Sequence, residues 1–105
     1  MRRVVVTGLG IISSIGNSAQ EVTASLKAGR SGISSNEDMA EHGFRSQVAG
    51  TPDIDLSQHI DKRTLRFMGP GAGYAFLAME QAIADAGLTE AEISDPRTGL
   101  VAGSG

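Results

Sequence analysis

The sequence contains no cysteine and no tryptophan. Without a thiol, disulfides, thiolate metal sites and a cysteine nucleophile are all excluded for this stretch. Aromatic residues amount to one Tyr and three Phe, too few for the stacked platforms that bind single-stranded nucleic acid. The net charge of −3 supplies no overall attraction to polyanions or anionic membrane surfaces. Nucleic acid and membrane are therefore not expected as partners. Long hydrophobic runs are also missing. The run at residues 4–12 imitates a secretory signal behind Met1-Arg2-Arg3, but Thr7, Gly8 and Gly10 interrupt it. No clean small-x-small cleavage pattern follows, and the run falls far short of the ~20 residues of a membrane span. Residence in the cytoplasm is the expectation.

Other catalytic and ligand types are scarce. The two histidines, His42 and His59, lie seventeen positions apart in loop-like sequence with no second ligand at metal spacing, so no metal is expected. Ser13-Ser14, Ser34-Ser35 and Ser104 lack the Gly-x-Ser-x-Gly setting of an activated nucleophile. No residue here is assigned a catalytic role.

What is present is a soluble-type composition, 40% hydrophobic and 20% charged, which points to ordered globular structure rather than disorder. Val4-Val5-Val6 opens a β-branched run resumed by Ile11-Ile12, the pattern of a strand buried on both faces. Ser18-Ala19-Gln20-Glu21 reads as a capping box, with Val22 and Leu26 on one face and Gly29 as terminator, predicting a helix near residues 19–28. Residues 30–60 hold Gly32, Gly43, Gly50 and Pro52 among short apolar pieces, so loops with one or two brief strands are expected. Asp61 offers an N-cap to a short helix reaching Met68, and Pro70 fits the first position of the next.

From residue 72 to 86 only Glu80, Gln81 and Asp85 are polar. A helix apolar nearly all round must be buried. Gly87 ends it, Thr89-Glu90-Ala91-Glu92 carries a second capping box, and residues 98–102 look like another buried strand. Two principal strands are too few to cover such a helix, so the 105 residues are expected to be a piece of a larger protein.

Two local patterns bear on function. Val6-Thr7-Gly8-Leu9-Gly10 after a strand invites a dinucleotide-binding reading. The third glycine would fall at Ser13, however, and nothing acidic lies between Glu21 and Glu37 to hold a ribose. The structural alternative is that Gly8 and Gly10 permit close packing or a bulge, and no nucleotide cofactor is expected. The second pattern is Lys62, Arg63 and Arg66, three cations in five positions, followed by no Lys or Arg over residues 67–96. Like charges at i, i+3 and i, i+4 cost about 0.2–0.5 kcal/mol per pair. Cations in a first turn oppose the helix dipole by a further ~0.3–1 kcal/mol each. An acidic protein partner would explain the cluster, whereas a solvated face with Asp61 as partial counter-charge would not need one.

Met1-Arg2-Arg3-Val4-Val5-Val6-Thr7-Gly8-Leu9-Gly10, Ser13-Ser14-Ile15-Gly16-Asn17 and Gly29-Arg30-Ser31-Gly32-Ile33 together resemble the opening of the β-ketoacyl synthases. Arg66-Phe67-Met68, residues 74–88 and residues 99–105 are similar to the elongating, type I members. Gly69-Pro70-Gly71 departs from the usual polar cap before the long helix, and residues 34–60 resemble the family only loosely.

The resemblance implies the N-terminal part of a thiolase-like α/β fold, in which mixed sheets sandwich buried helices, assembled as a homodimer. It implies that residues 1–105 are the N-terminal portion of a β-ketoacyl synthase domain, ending before the catalytic residues. The implied enzyme elongates acyl chains on acyl carrier protein. A cysteine takes the acyl chain and two histidines assist decarboxylation of the malonyl carrier, all further along than this chain. Lys62, Arg63 and Arg66 match the family's carrier-protein contacts. The alternatives are a non-catalytic partner of a condensing subunit and the nucleotide-binding module weighed above.

Overall fold

The computed structural model describes residues 1–104. The first helix, α1 (Ala19–Lys27), starts where the sequence predicts. Ser18 Oγ accepts the Glu21 N–H at 3.2 Å, satisfying one of the free donors of the first turn. The reciprocal half of the capping box is shifted by one residue: Glu21 Oε2 accepts from the Asn17 N–H at 2.7 Å. The inward face also differs from expectation. Val22 and Ser25 are buried, while Leu26 is 67% exposed. Ser25 belongs inside because its Oγ donates to the Ile15 carbonyl at 2.6 Å, a tie that a leucine cannot make.

Two short strands follow, β1 (Ile33–Ser35) and β2 (Val48–Gly50), paired antiparallel with Ile33 opposite Gly50 and Ser35 opposite Val48. Between them lies α2 (Glu37–Glu41), capped by Asn36 Oδ1 on the Met39 N–H at 2.9 Å. A 3-10 turn at Leu56–Gln58 then packs against α3 (Lys62–Leu65) and the long α4 (Pro70–Ala86). Pro70 occupies the start of α4, and Gly87 ends it with φ 66°, the left-handed conformation that glycine adopts without a Cβ penalty. The last helix, α5 (Glu90–Ile93), carries a complete capping box between Thr89 and Glu92.

The expected strands at residues 4–12 and 98–102 do not form. The only ladder among the described residues is β1 with β2, besides an isolated bridge between Ser13 and Gly16. Val4, Val6 and Val101 are 94%, 89% and 97% exposed. β-branched runs make a segment fit for a sheet, but a strand exists only where a neighbour takes its N–H and C=O groups.

Part of the first segment is held by side chains instead. The Leu9 N–H donates to Asp85 Oδ2 at 2.9 Å and the Ile11 N–H to Gln81 Oε1 at 3.0 Å. The spacing works because four helical residues rise about 6 Å and two extended residues advance about 6.6 Å. Gly8 and Gly10 make the approach possible: a Cβ on Gly10 would overlap the Ala78 carbonyl and stand 2.8 Å from Ala82 N, and one on Gly8 would stand 2.8 Å from Ala86 Cβ. The close-packing reading of these glycines holds.

Helix α4 is thus covered on its Ala78–Ala82–Ala86 face by the extended segment, and at Gly73 by Leu56. Its Leu77 is buried with Val22 and Ile60, the small apolar core. Phe76 and Met79 on another face remain 36% and 41% exposed. They line an apolar groove with Gly10, Leu100 and Val101, so in this chain the burial expected all round α4 is realised on one side.

Asn17 joins three of these pieces. Its N–H reaches Glu21, its Nδ2 donates to the Asp53 carbonyl at 2.7 Å, and its carbonyl accepts from Gln81 Nε2 at 2.7 Å.

Candidate functional site

The three sequence-predicted cations fall together on α3 and its C-cap. Asp61 N-caps that helix with one carboxylate oxygen accepting from the Arg63 N–H at 2.8 Å and the Thr64 N–H at 3.2 Å. Its other oxygen accepts from the Thr64 hydroxyl. These bonds, the Thr64 hydroxyl foremost and then the Thr64 and Arg63 amides, hold the Asp61 carboxyl below the ordinary aspartate range, since each favours the ionised form.

Lys62 and Arg63 occupy the first two helical positions, and Arg66 is the C-cap, its N–H donating to the Lys62 carbonyl at 3.2 Å. All three are exposed. Among the described residues the only ion pair is Arg97 with Asp95, so none of the three cations is neutralised by a carboxylate. Asp61 spends its oxygens on the cap rather than on a guanidinium. The carboxylate thus stands at the start of the helix without pairing with any of the three cations. What remains is a surface that presents three positive charges within about one helical turn.

The winding continues past the helix proper. Phe67 N–H donates to the Thr64 carbonyl at 3.1 Å and Met68 N–H to the Leu65 carbonyl at 3.0 Å, the tighter i→i−3 pattern common at helix ends. Leu65 and Met68 are half-buried, whereas Phe67 is 83% exposed. The sequence shows Phe67 only as one apolar residue in a helical stretch; its outward direction follows from where that stretch packs.

The other sequence candidates do not assemble. His42 Nδ1 lies 2.7 Å from the Asp38 carbonyl on the exposed end of α2, and its ring is tilted against Phe44. His59 is the C-cap of the 3-10 turn. No group of three His, Cys, Asp or Glu side chains able to hold a metal occurs among the described residues. Gly8 and Gly10 face the backbone of α4 rather than the N-terminus of a following helix, and the next helix begins only at Ala19 under a Ser18 cap. A pyrophosphate would have no helix N-terminus to sit on there. No helix among the described residues is long and apolar enough to cross a membrane.

The family described as beta-ketoacyl synthase, N-terminal domain, matches residues 1–105. The chain is 58% identical over 105 residues to the 3-oxoacyl-[acyl-carrier-protein] synthase 1 of Haemophilus influenzae. It is 56% identical over 106 residues to the synthase 1 of Escherichia coli K12. Each alignment covers 100% of this chain and 26% of the relative, so the chain spans about a quarter of the length of these proteins. Among solved structures, the ishigamide ketosynthase/chain length factor superposes with a TM-score of 0.74 at 43% identity, over 87% of this chain and 23% of that one. The helices and small sheet seen here are the N-terminal part of that thiolase-like α/β architecture. The chain belongs to the beta-ketoacyl synthase family.

Proposed function

We propose that these 105 residues are the N-terminal portion of a condensing enzyme that elongates acyl-[acyl-carrier-protein] in fatty-acid biosynthesis, and that their own task is to receive the carrier protein. The residues that perform the chemistry lie outside this chain, which holds no cysteine. In the whole enzyme a cysteine thiolate accepts the acyl group from its carrier thioester and releases the carrier thiol. The malonyl carrier then loses carbon dioxide. Its carbanion attacks the acyl-enzyme carbonyl, forming the carbon–carbon bond, breaking the carbon–sulfur bond and returning the thiolate. The product is a 3-oxoacyl carrier thioester. The parent is read as a cytoplasmic homodimer that needs no cofactor.

The observation that carries this chain's part is the exposed, unpaired set Lys62, Arg63 and Arg66. An acidic carrier finds there a positive field that speeds encounter and orients docking. The test is to replace the three by Glu in the full-length enzyme. Association with acyl carrier protein should slow, most strongly at low salt, because exposed charges are screened over a Debye length of about 10 Å at 0.1 M. Turnover of carrier-linked substrate should fall while turnover of a small thioester lacking the carrier changes little. Equal loss on both substrates would assign the cations a structural role, and no loss on either would leave them a solvated face.

A second reading has one observation behind it, the superposition on a ketosynthase/chain length factor. In that reading the parent is a non-catalytic partner of a condensing subunit. Acylation of a cysteine by carrier-linked substrate in the purified parent separates the two: a covalent acyl-enzyme supports the catalyst, and its absence the partner.

A further inference from the structure

The docking surface is more than its charges. Phe67 stands 83% exposed directly after Arg66, the C-cap of α3, and four positions beyond Arg63. The exposed valines at residues 4–6 and 101 lie on extended segments without a ladder. Phe67 differs from them in being on a wound segment whose neighbouring apolar side chains, Leu65 and Met68, are half-buried while it points outward. An isolated exposed apolar side chain means little. Here the aromatic directly follows three exposed cations that have no ion-pair partner among the described residues, and the charge commits the occupant to an acidic protein.

We infer that Phe67 is the apolar anchor of this docking surface. It contacts an apolar side chain exposed among the carboxylates of an acidic protein, while Lys62, Arg63 and Arg66 pair with those carboxylates around it. The inference rests on the carrier-docking reading of the three cations. It divides the work between the two kinds of residue. The charges act at a distance and set the rate of encounter and its salt dependence. The aromatic acts only after contact, when its surface leaves water, and therefore sets how long the complex lasts.

The experiment compares Phe67→Ala, Phe67→Leu and the triple Glu variant in the full-length enzyme, measuring association and dissociation rates of acyl carrier protein at low and moderate salt. Phe67→Ala should speed dissociation about tenfold or more, the range of an interface anchor. Its association rate and salt slope should match the wild type, and Phe67→Leu should restore most of the lifetime. Turnover of a small thioester should be unaffected. If the Glu variant slows association while Phe67→Ala leaves dissociation unchanged, the anchor is refuted and the basic docking surface stands. If neither variant alters binding, the docking reading fails and the anchor with it. If Phe67→Ala depresses small-thioester turnover as much as carrier-linked turnover, Phe67 is a packing residue of the whole enzyme and the anchor is refuted.

Discussion

Gly10→Ala tests the seam between the extended segment and α4 in its simplest form. The added Cβ would overlap the Ala78 carbonyl oxygen, lie 2.7 Å from its carbon and 2.8 Å from Ala82 N, where ordinary contact begins at 3.4 Å. All three atoms are helix backbone, so no rotamer change relieves the clash. The segment must lift instead. Lifting it strains the Ile11–Gln81 bond of 3.0 Å and the Leu9–Asp85 bond of 2.9 Å. Overpacking costs about 1–3 kcal/mol, and losing one ordinary amide bond adds about 0.5–1.5 kcal/mol. A total of about 1.5–4.5 kcal/mol is a large part of the ~5–15 kcal/mol that holds a domain together. The assay is urea unfolding of the full-length protein, with Gly71→Ala as control, since nothing lies within 4 Å of a Cβ there. That control should be neutral or stabilising, as expected for Gly→Ala in a helix. A Gly10→Ala variant within about 0.5 kcal/mol of the control, the usual span of inert substitutions, would refute the packing argument.

The parts of this fold that were legible in the sequence are those decided locally. Ser18, Asp61, Pro70, Gly87 and Thr89 each mark a helix end with chemistry complete within four residues, and all five do so in the structure. The signal for α2 was also present, in Asn36 followed by Glu37 and Asp38, but five residues carry too little periodicity to stand out from the surrounding loop. The strand expectations failed at residues 4–12 because strand formation depends on a partner elsewhere in the chain, which propensity does not encode. With Glu80, Gln81 and Asp85 looked like mere polar interruptions of an apolar helix. Their role appears only when residues 9 and 11, more than 65 positions away, are seen to donate to them. The basic cluster and the Asp61 cap were both legible in the sequence; that no carboxylate among the described residues pairs with the three cations required the geometry.

Ser25→Ala in the full-length protein removes the donor to the Ile15 carbonyl and should cost about 1–3 kcal/mol in urea unfolding as that part-buried group loses its partner; a cost below about 0.5 kcal/mol would show the bond to be dispensable. The Asp61 carboxyl, held below the ordinary aspartate value by the Thr64 hydroxyl and the α3 amides, should stabilise the fold fully above the unfolded value of about 3.9. That contribution is lost as pH falls through the lower folded value. A carboxyl carbon titration by NMR with a midpoint at or above the unfolded value would contradict the cap. The 105 residues expressed alone should associate rather than remain monomeric. Their accessible surface is 8691 Å², whereas a self-contained monomer of 10.8 kDa exposes about 5,500 Å². The radius of gyration is 16.8 Å, against about 13 Å for a compact domain of this length. Apolar side chains on the extended segments contribute to the excess, as at Val4, Val6, Leu100 and Val101, and surface of that kind seeks cover in a second molecule when the chain offers none. Light scattering after size exclusion should therefore give a mass above one chain that rises with concentration. A monodisperse monomer that unfolds cooperatively would mean that the chain closes over this surface by itself, and would refute the expectation of association.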